Sequence, residues 1–294
     1  MNRQIVLFIF LCQALIAFAG PQRPQDEALA SSVFSQTRAP KLASSIALIY
    51  DEKDQRSLYS KNADTVAPIA SITKLMTAMV VLDAKLPMDE KITISPDDAD
   101  FQKGTHSRMR AGITLTRAEM MKIALMASEN RAAASLARTY PGGMPAAVAA
   151  MNAKAKELGM TSTKFLDPTG LNSNNVSTAK DLVKMVMAAQ RYEQIHKYTT
   201  SSSHMVNAGS RHELKYNNTN PLVKNASWDI GVSKTGYISE AGRCLVMEAT
   251  ISNRRVVIVL LDSWGKSTRV GDANRIKKWM ESAATRPGRK TNRG

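Results

Sequence analysis

Cysteine is almost absent from this chain: Cys12 and Cys244 are the only two in 294 residues. Cys12 falls in the apolar N-terminal stretch, so no disulfide framework can hold the fold together. Histidine is as scarce. His106, His196, His204 and His212 form no His-Glu-x-x-His or other ligand spacing, so metal hydrolysis is not expected and no metal or other cofactor is assigned. No Gly-x-Ser-x-Gly elbow occurs, which disfavours an α/β-hydrolase nucleophile. Acidic residues number 25 against 40 basic ones, a net charge of +15 that favours an anionic partner: nucleic acid, acidic lipid or a charged wall polymer. Aromatic residues make up only 5%, with no arginine–aromatic stripe, so nucleic acid is not expected. No internal repeat is found.

What is present begins with an export signal. Arg3 precedes the apolar run Ile5 to Leu11, and Ala17-Phe18-Ala19 follows before Gly20-Pro21. A charged start, an apolar centre and a small-x-small end read as a signal peptide over residues 1–19, too short for a stable membrane span. Leu11 before Cys12 argues against a lipoprotein. Residues 20–43, rich in Pro, Gln, Ser and Ala, read as a flexible arm. Residues 44–284 read as one globular domain, and 285–294 as a basic tail. Cys244, in the apolar run Cys-Leu-Val-Met, reads as a core residue.

Within the domain, Ser45–Tyr50 and Ser57–Ser60 predict a strand hairpin. Lys91–Ile94 predicts a short strand, and Thr116-Arg117-Ala118-Glu119 is a capping box opening a helix to about Ala127. Further helices are expected to about Thr139, over Met144–Leu158 up to Gly159, and over Thr178–Ala189. Strands are expected at Ile230–Tyr237, Cys244–Ile251 and Val256–Leu261, and a helix over Asp272–Ala283. Strands at both ends with helices between predict an α+β fold. One antiparallel sheet, flanked by helices, would be built from both termini with an all-helical lobe inserted.

Three short motifs carry chemistry. In Pro68-Ile-Ala-Ser71-Ile-Thr-Lys74-Leu-Met, the Ser71 hydroxyl and Lys74 amine share a helix face. Burial disfavours the charged amine, making Lys74 a candidate base for Ser71. Ser-x-x-Lys alone is weak evidence, since it recurs at Ser177/Lys180 and Ser263/Lys266. Ser128-Glu129-Asn130 falls in a loop between helices, where Asn130 would otherwise serve only as an N-cap. Lys234-Thr235-Gly236 ends a strand. Ser128 lies 57 residues after Ser71, and Lys234 a further 106 on. In this order, on these elements, the three are the pattern of penicillin-binding proteins and class A β-lactamases.

At these residues the chain resembles the serine D-Ala-D-Ala peptidases, the low-molecular-mass penicillin-binding proteins, over roughly residues 44–283. Leu158–Phe165, Pro168–Leu171 and Ser177–Leu182 extend the resemblance. Pro68 to Asp83 and Ser128 to Ser135 are most similar to its small endopeptidase branch. The resemblance implies a β-lactamase/transpeptidase-like fold. It also implies Ser71 as nucleophile, Lys74 as base and Ser128 as proton relay. Asn130 would hold the substrate amide; Lys234 would lower the Lys74 pKa and, with Thr235, take a carboxylate. Gly236 would admit the substrate backbone, and the N–H groups of Ser71 and Tyr237 would receive the oxyanion. Expected partners are peptidoglycan stems and crosslinks, with β-lactams as covalent inhibitors, in the periplasm. With about 58 residues after Lys-Thr-Gly, a second β domain plus a membrane helix is not expected. A β-lactamase would need a deacylating acid; Glu213, four residues before Asn217, lies too late in the chain, and Asp167 opens a turn. A carboxypeptidase and a non-catalytic wall-binding protein are the other readings.

Overall fold

Both ends of the described chain meet in one antiparallel sheet. The computed structural model describes residues 34, 37–100, 103–105, 107–209 and 213–285. The expected signal peptide and the tail from 286 lie outside them. Strands β1 (Ile46–Asp51) and β2 (Arg56–Lys61) form the N-terminal hairpin. Two small ladders follow, one pairing β3 (Ala67–Pro68) with β6 (Val176–Ser177), the other β4 (Lys91–Thr93) with β5 (Thr114–Thr116). A third pairs β7 (Ser203–Asn207) with β8 (Glu213–Asn217). The C-terminal strands β9 (Asp229–Ile238), β10 (Gly242–Ile251) and β11 (Arg254–Ser263) complete the main sheet, in the order β2-β1-β11-β10-β9. β1 lies antiparallel to β11 with Leu48 opposite Val259. Ser252 and Asn253 both take positive φ, which turns β10 into β11 with the twist of a tight hairpin.

The sheet is covered on both faces, which explains why its strands read as apolar runs rather than alternations. Val257, Val259 and Leu261 face the helical lobe. Val256, Ile258 and Leu260 face the opposite side, against Ala273, Ile276 and Met280 of the terminal helix. Cys244 on β10 is fully buried; burial pushes its thiol up to about 12.

Seven helices of the described chain matter for the site. They are α1 (Thr73–Asp83), α2 (Arg117–Met126), α3 (Asn130–Arg138), α4 (Gly143–Glu157), α5 (Ala179–Ala189), α6 (Glu193–Thr199) and α7 (Thr268–Ala284). From Thr73 to Val81 every residue of α1 is buried, so this helix runs through the middle of the lobe rather than along its surface. α7 packs behind the sheet.

The structure departs from expectation in three places. The loose arm expected over 20–43 is packed from Thr37 onward. The Trp279 indole N–H donates to Thr37 Oγ1 (2.9 Å), Leu42 is buried, and the Ala43 and Ser44 N–H groups donate to Asp272 (3.0 and 2.8 Å). Second, α6 and the β7–β8 hairpin were not anticipated. α6 is only two turns long, and the hairpin buries a single narrow row, Val206, Leu214 and Tyr216. Third, Glu129 rather than Asn130 caps α3, accepting the Arg131 N–H at 3.2 Å.

The capping box is formed as read. Thr116 Oγ1 accepts the Glu119 N–H at 3.2 Å, and Glu119 Oε2 accepts the Thr116 N–H at 3.0 Å. Replacing Thr116 by Ala removes one partner of this exchange. We expect a loss of about 1 kcal/mol in urea unfolding, with the fold otherwise retained.

Candidate active site

Ser71 sits in a single 3-10 turn, Ala70–Ile72, that leads directly into α1. One helical turn on, the Lys74 side chain points back at it. Their Nζ and Oγ atoms are 2.8 Å apart, and both residues are buried. Lys74 Nζ also donates to Asn130 Oδ1 (2.7 Å) and to the Thr169 carbonyl (2.6 Å). Asn130 Nδ2 donates to Thr105 Oγ1 at 3.1 Å, which orients the amide with its oxygen toward the lysine. Burial is the main cause that lowers the Lys74 pKa to about 7; the carboxylates of Asp167 and Glu129 oppose it. In the neutral form, an amine has two N–H donors and one lone pair. Asn130 Oδ1 and Thr169 O can only accept, so they take both donors. The lone pair is left facing Ser71, whose O–H then donates to it.

The nucleophile turn is fixed from below by a loop that carries Thr169. Asp167 accepts the N–H groups of Gly170 (2.7 Å) and Asn172 (2.8 Å). Buried Asn175 accepts the Leu166 N–H (2.7 Å) and donates to Thr73 Oγ1 (3.1 Å) and the Asp167 carbonyl (2.8 Å). Gly170 takes φ +82°, and a Cβ there would fall 1.9 Å from the Ala70 carbonyl oxygen. Ala70 itself has φ +47°, an uncommon conformation for a residue with a side chain, and one that the surrounding contacts must hold.

On the other wall stands β9, which pairs with β10 alone and so ends the sheet. Lys234 Nζ donates to Ser128 Oγ (2.9 Å) and to the Thr235 carbonyl (2.9 Å). Ser128 also takes positive φ, +61°, in the tight link between α2 and α3. Thr235 Oγ1 donates to Thr219 Oγ1 at 2.6 Å. A Cβ on Gly236 would lie 2.9 Å from the Ile69 carbonyl and 3.1 Å from the Ser71 nitrogen. Only glycine lets this strand pass so close to the nucleophile's backbone. Next in the strand, Tyr237 is exposed, with the Arg243 guanidinium 4.5 Å from its ring centre.

This geometry has clear counterparts. Residues 33–265 match the family described as D-alanyl-D-alanine carboxypeptidase, peptidase family S11. The chain belongs to this family of serine D-Ala-D-Ala peptidases. Among its relatives, the D-alanyl-D-alanine endopeptidase of Escherichia coli is 44% identical over 95% of this chain and 90% of its own length. That of Pseudomonas aeruginosa is 49% identical over 82% of this chain and 78% of its own. Penicillin-binding protein D2 of Listeria monocytogenes, solved in a cefotaxime-bound form, superposes with a TM-score of 0.72. It is 28% identical over 83% of this chain and 99% of that one. The α+β architecture of this DD-peptidase is that of the penicillin-binding proteins.

The structure brings Ser71, Lys74, Ser128, Asn130, Lys234, Thr235 and Gly236 of this DD-peptidase around one cleft between sheet and lobe. It also corrects one expectation. Lys234 is not what leads the fall in the Lys74 pKa; burial is. The influence is clearer in the other direction. Burial first, then the charges of Lys74 and Arg269, pull the Lys234 amine well below its ordinary value. The two other Ser-x-x-Lys copies are absorbed elsewhere: Ser177 Oγ contacts Thr163 Oγ1, Lys180 pairs with Asp64, and Ser263 Oγ contacts Ser44 Oγ.

Several participants carry no motif. Thr169 enters through its carbonyl, Asn175 through a distant hydrogen-bond set, and Thr219 through Thr235. Arg269, on α7, is 8% exposed, and its Nε and Nη1 have no partner among the described residues. Its charge is one of those that hold the Lys234 pKa down. Nothing in the spacing around Arg269 marks it; only the fold of α7 back across the sheet reveals it.

Two outcomes follow from this geometry. A buried amine whose pKa falls from 10.5 to about 7 is neutral above that pH and protonated below it. Acylation of Ser71 by a penicillin, followed by stopped-flow, should therefore rise with pH through about 7 and level off above it. Below it the rate should fall about tenfold per pH unit. Second, Gly170→Ala forces a Cβ against the Ala70 carbonyl. Acylation should drop by about 100-fold or more, measured with a fluorescent penicillin against folded protein checked by circular dichroism.

Proposed function

We propose that this DD-peptidase is an exported, periplasmic endopeptidase that hydrolyses D-alanyl–diaminopimelate crosslinks of peptidoglycan through an acyl-enzyme on Ser71. The observation that carries the reading is the 2.8 Å contact between Ser71 and a buried amine poised near neutrality. Ser71 Oγ attacks the D-alanyl carbonyl as its proton passes to Lys74. The oxyanion is received by the backbone N–H groups of Ser71 and Tyr237, worth about 3–4 kcal/mol in comparable sites. Ser128 relays that proton from Lys74 to the departing nitrogen, ending with its own hydroxyl intact, and the amine leaves. Asn130 holds the substrate amide while keeping Lys74 oriented. Water then cleaves the ester.

The carboxylate beside the scissile nitrogen is read by Lys234, the Thr235 hydroxyl and Arg269. Each of the two cations is buried, and burial disfavours its charge. An arriving carboxylate favours the charged form of Lys234, so binding of the acid and protonation of Lys234 are linked. A terminal D-alanine and the D-centre of a crosslink both offer such a carboxylate. The names of the relatives at 44% and 49% identity favour the crosslink. The carboxypeptidase description of the family keeps terminal D-alanine as the second reading.

A β-lactamase is disfavoured by where the acids point. Asp167 is engaged by backbone N–H groups of its own turn. Glu129 accepts from Ser107 Oγ at 2.7 Å and from the Arg131 N–H at 3.2 Å. Glu213 stands exposed on β8. The first two are held by their own neighbours, and none of the three hydrogen-bonds to the Ser71 hydroxyl.

For export, the support is the charged–apolar–small pattern of residues 1–19. Among the described residues no helix is long and apolar enough to cross a membrane.

Purified crosslinked muropeptide dimers and pentapeptide monomers, digested side by side, test the reading. Monomers should appear from dimers, and a penicillin should leave a long-lived adduct on Ser71 that Ser71→Ala abolishes. Release of D-alanine alone would favour the carboxypeptidase, and rapid penicillin turnover would favour the β-lactamase.

A further inference from the structure

The hydroxyl that protonates the leaving nitrogen also marks the route of the departing chain. Whatever is attached to that nitrogen must run out past Ser128. A cavity of about 240 Å³ opens there, lined among others by Ser107, Arg108, Ser128, Glu129, Asn130 and Tyr216. Arg108 is the one cation in that lining. Its guanidinium lies 4.4 Å from the centre of the Tyr216 ring, and its Nη2 donates to the Lys215 carbonyl at 2.8 Å. Tyr216 is itself buried, so the guanidinium rests on a fixed platform. Glu129, the acid in the same wall, is occupied by Ser107, the Arg131 N–H and the Tyr216 hydroxyl (3.4 Å). Arg108 makes no ion pair with a described residue and turns its charge to the cavity edge.

The two candidate substrates differ on this side alone. D-alanine carries one carboxylate, already taken at Lys234 and Thr235. The amine released from a crosslink is a whole stem peptide with further carboxylates. We propose that Arg108 is a specificity-determining residue: it binds a second carboxylate on the departing stem and so favours crosslinks over terminal D-alanine. This rests on the endopeptidase reading. Arg108 touches substrate only beyond the scissile bond and takes no part in the proton transfers.

The test compares wild type with Arg108→Gln and Arg108→Glu on crosslinked dimers, pentapeptide monomers and a small penicillin. For Arg108→Gln, KM for dimers should rise about three- to tenfold with kcat nearly unchanged. Arg108→Glu should raise it further. D-alanine release and penicillin acylation, which present no second carboxylate to Arg108, should stay within about twofold of wild type. Raising salt from about 0.05 to 0.5 M should weaken dimer binding by wild type but hardly by Arg108→Gln. An unchanged dimer KM in both variants would overturn the proposal and leave the endopeptidase reading intact. So would an equal loss on all three substrates with a lowered Tm, the mark of a purely structural arginine. If wild type cleaves no dimer at all, the endopeptidase reading falls and this proposal with it.

Discussion

Sealing one amine away from water is the constraint on which the rest of this structure depends. Lys74 is surrounded by the apolar residues of α1, the Thr169 carbonyl and the Asn130 amide oxygen. The burial that lowers its pKa to about 7 also removes the solvent that would satisfy it. Two acceptors from two other segments must therefore be brought to it within hydrogen-bond distance. One comes from α3, the other from the loop after α4. Much of the helical lobe can be understood as the means of holding those two segments against α1.

The same constraint accounts for the strained positions. Positive φ at Ala70 and Ser128 and the close approach at Gly170 all lie next to the reacting groups. Each would be unfavourable alone, on the order of 1–3 kcal/mol for a non-glycine residue. They persist because Asn175, Asp167 and the main sheet over-determine the local path. In the anion recognition proposed above, the cations are Lys234 on β9 and Arg269 on α7, both buried with few partners. Base and cation are thus supplied by different layers of the fold, and the cleft between them is where chemistry and recognition meet.

Much of this was legible in the residues. The β1–β2 hairpin, the helix after Ser71, the capping box at Thr116 and the three terminal strands follow from local pattern, because each is determined by near neighbours. The grouping of Ser71, Lys74, Ser128, Asn130 and Lys234 was legible too, through motif order rather than through any long-range physics. What was not legible depends on packing across the fold. Thr169 acts through a main-chain carbonyl, which no side-chain pattern advertises. Arg269 is one of many basic residues until α7 carries it behind the sheet. Residues 37–43 look featureless because their partners, Asp272 and Trp279, lie more than two hundred positions away. The β7–β8 hairpin escaped notice because it buries one narrow row and leaves the rest polar.

Cys244 has a consequence for how the molecule can be studied. Its sulfur is enclosed within β10 and held as the thiol well past physiological pH, so alkylating reagents and mild oxidants should pass it by. It is the only thiol among the described residues. A fluorophore or spin label could therefore be attached at a single engineered position on the cleft rim with the native cysteine left in place. Such a label would report ligand binding at the rim without a signal from the native thiol.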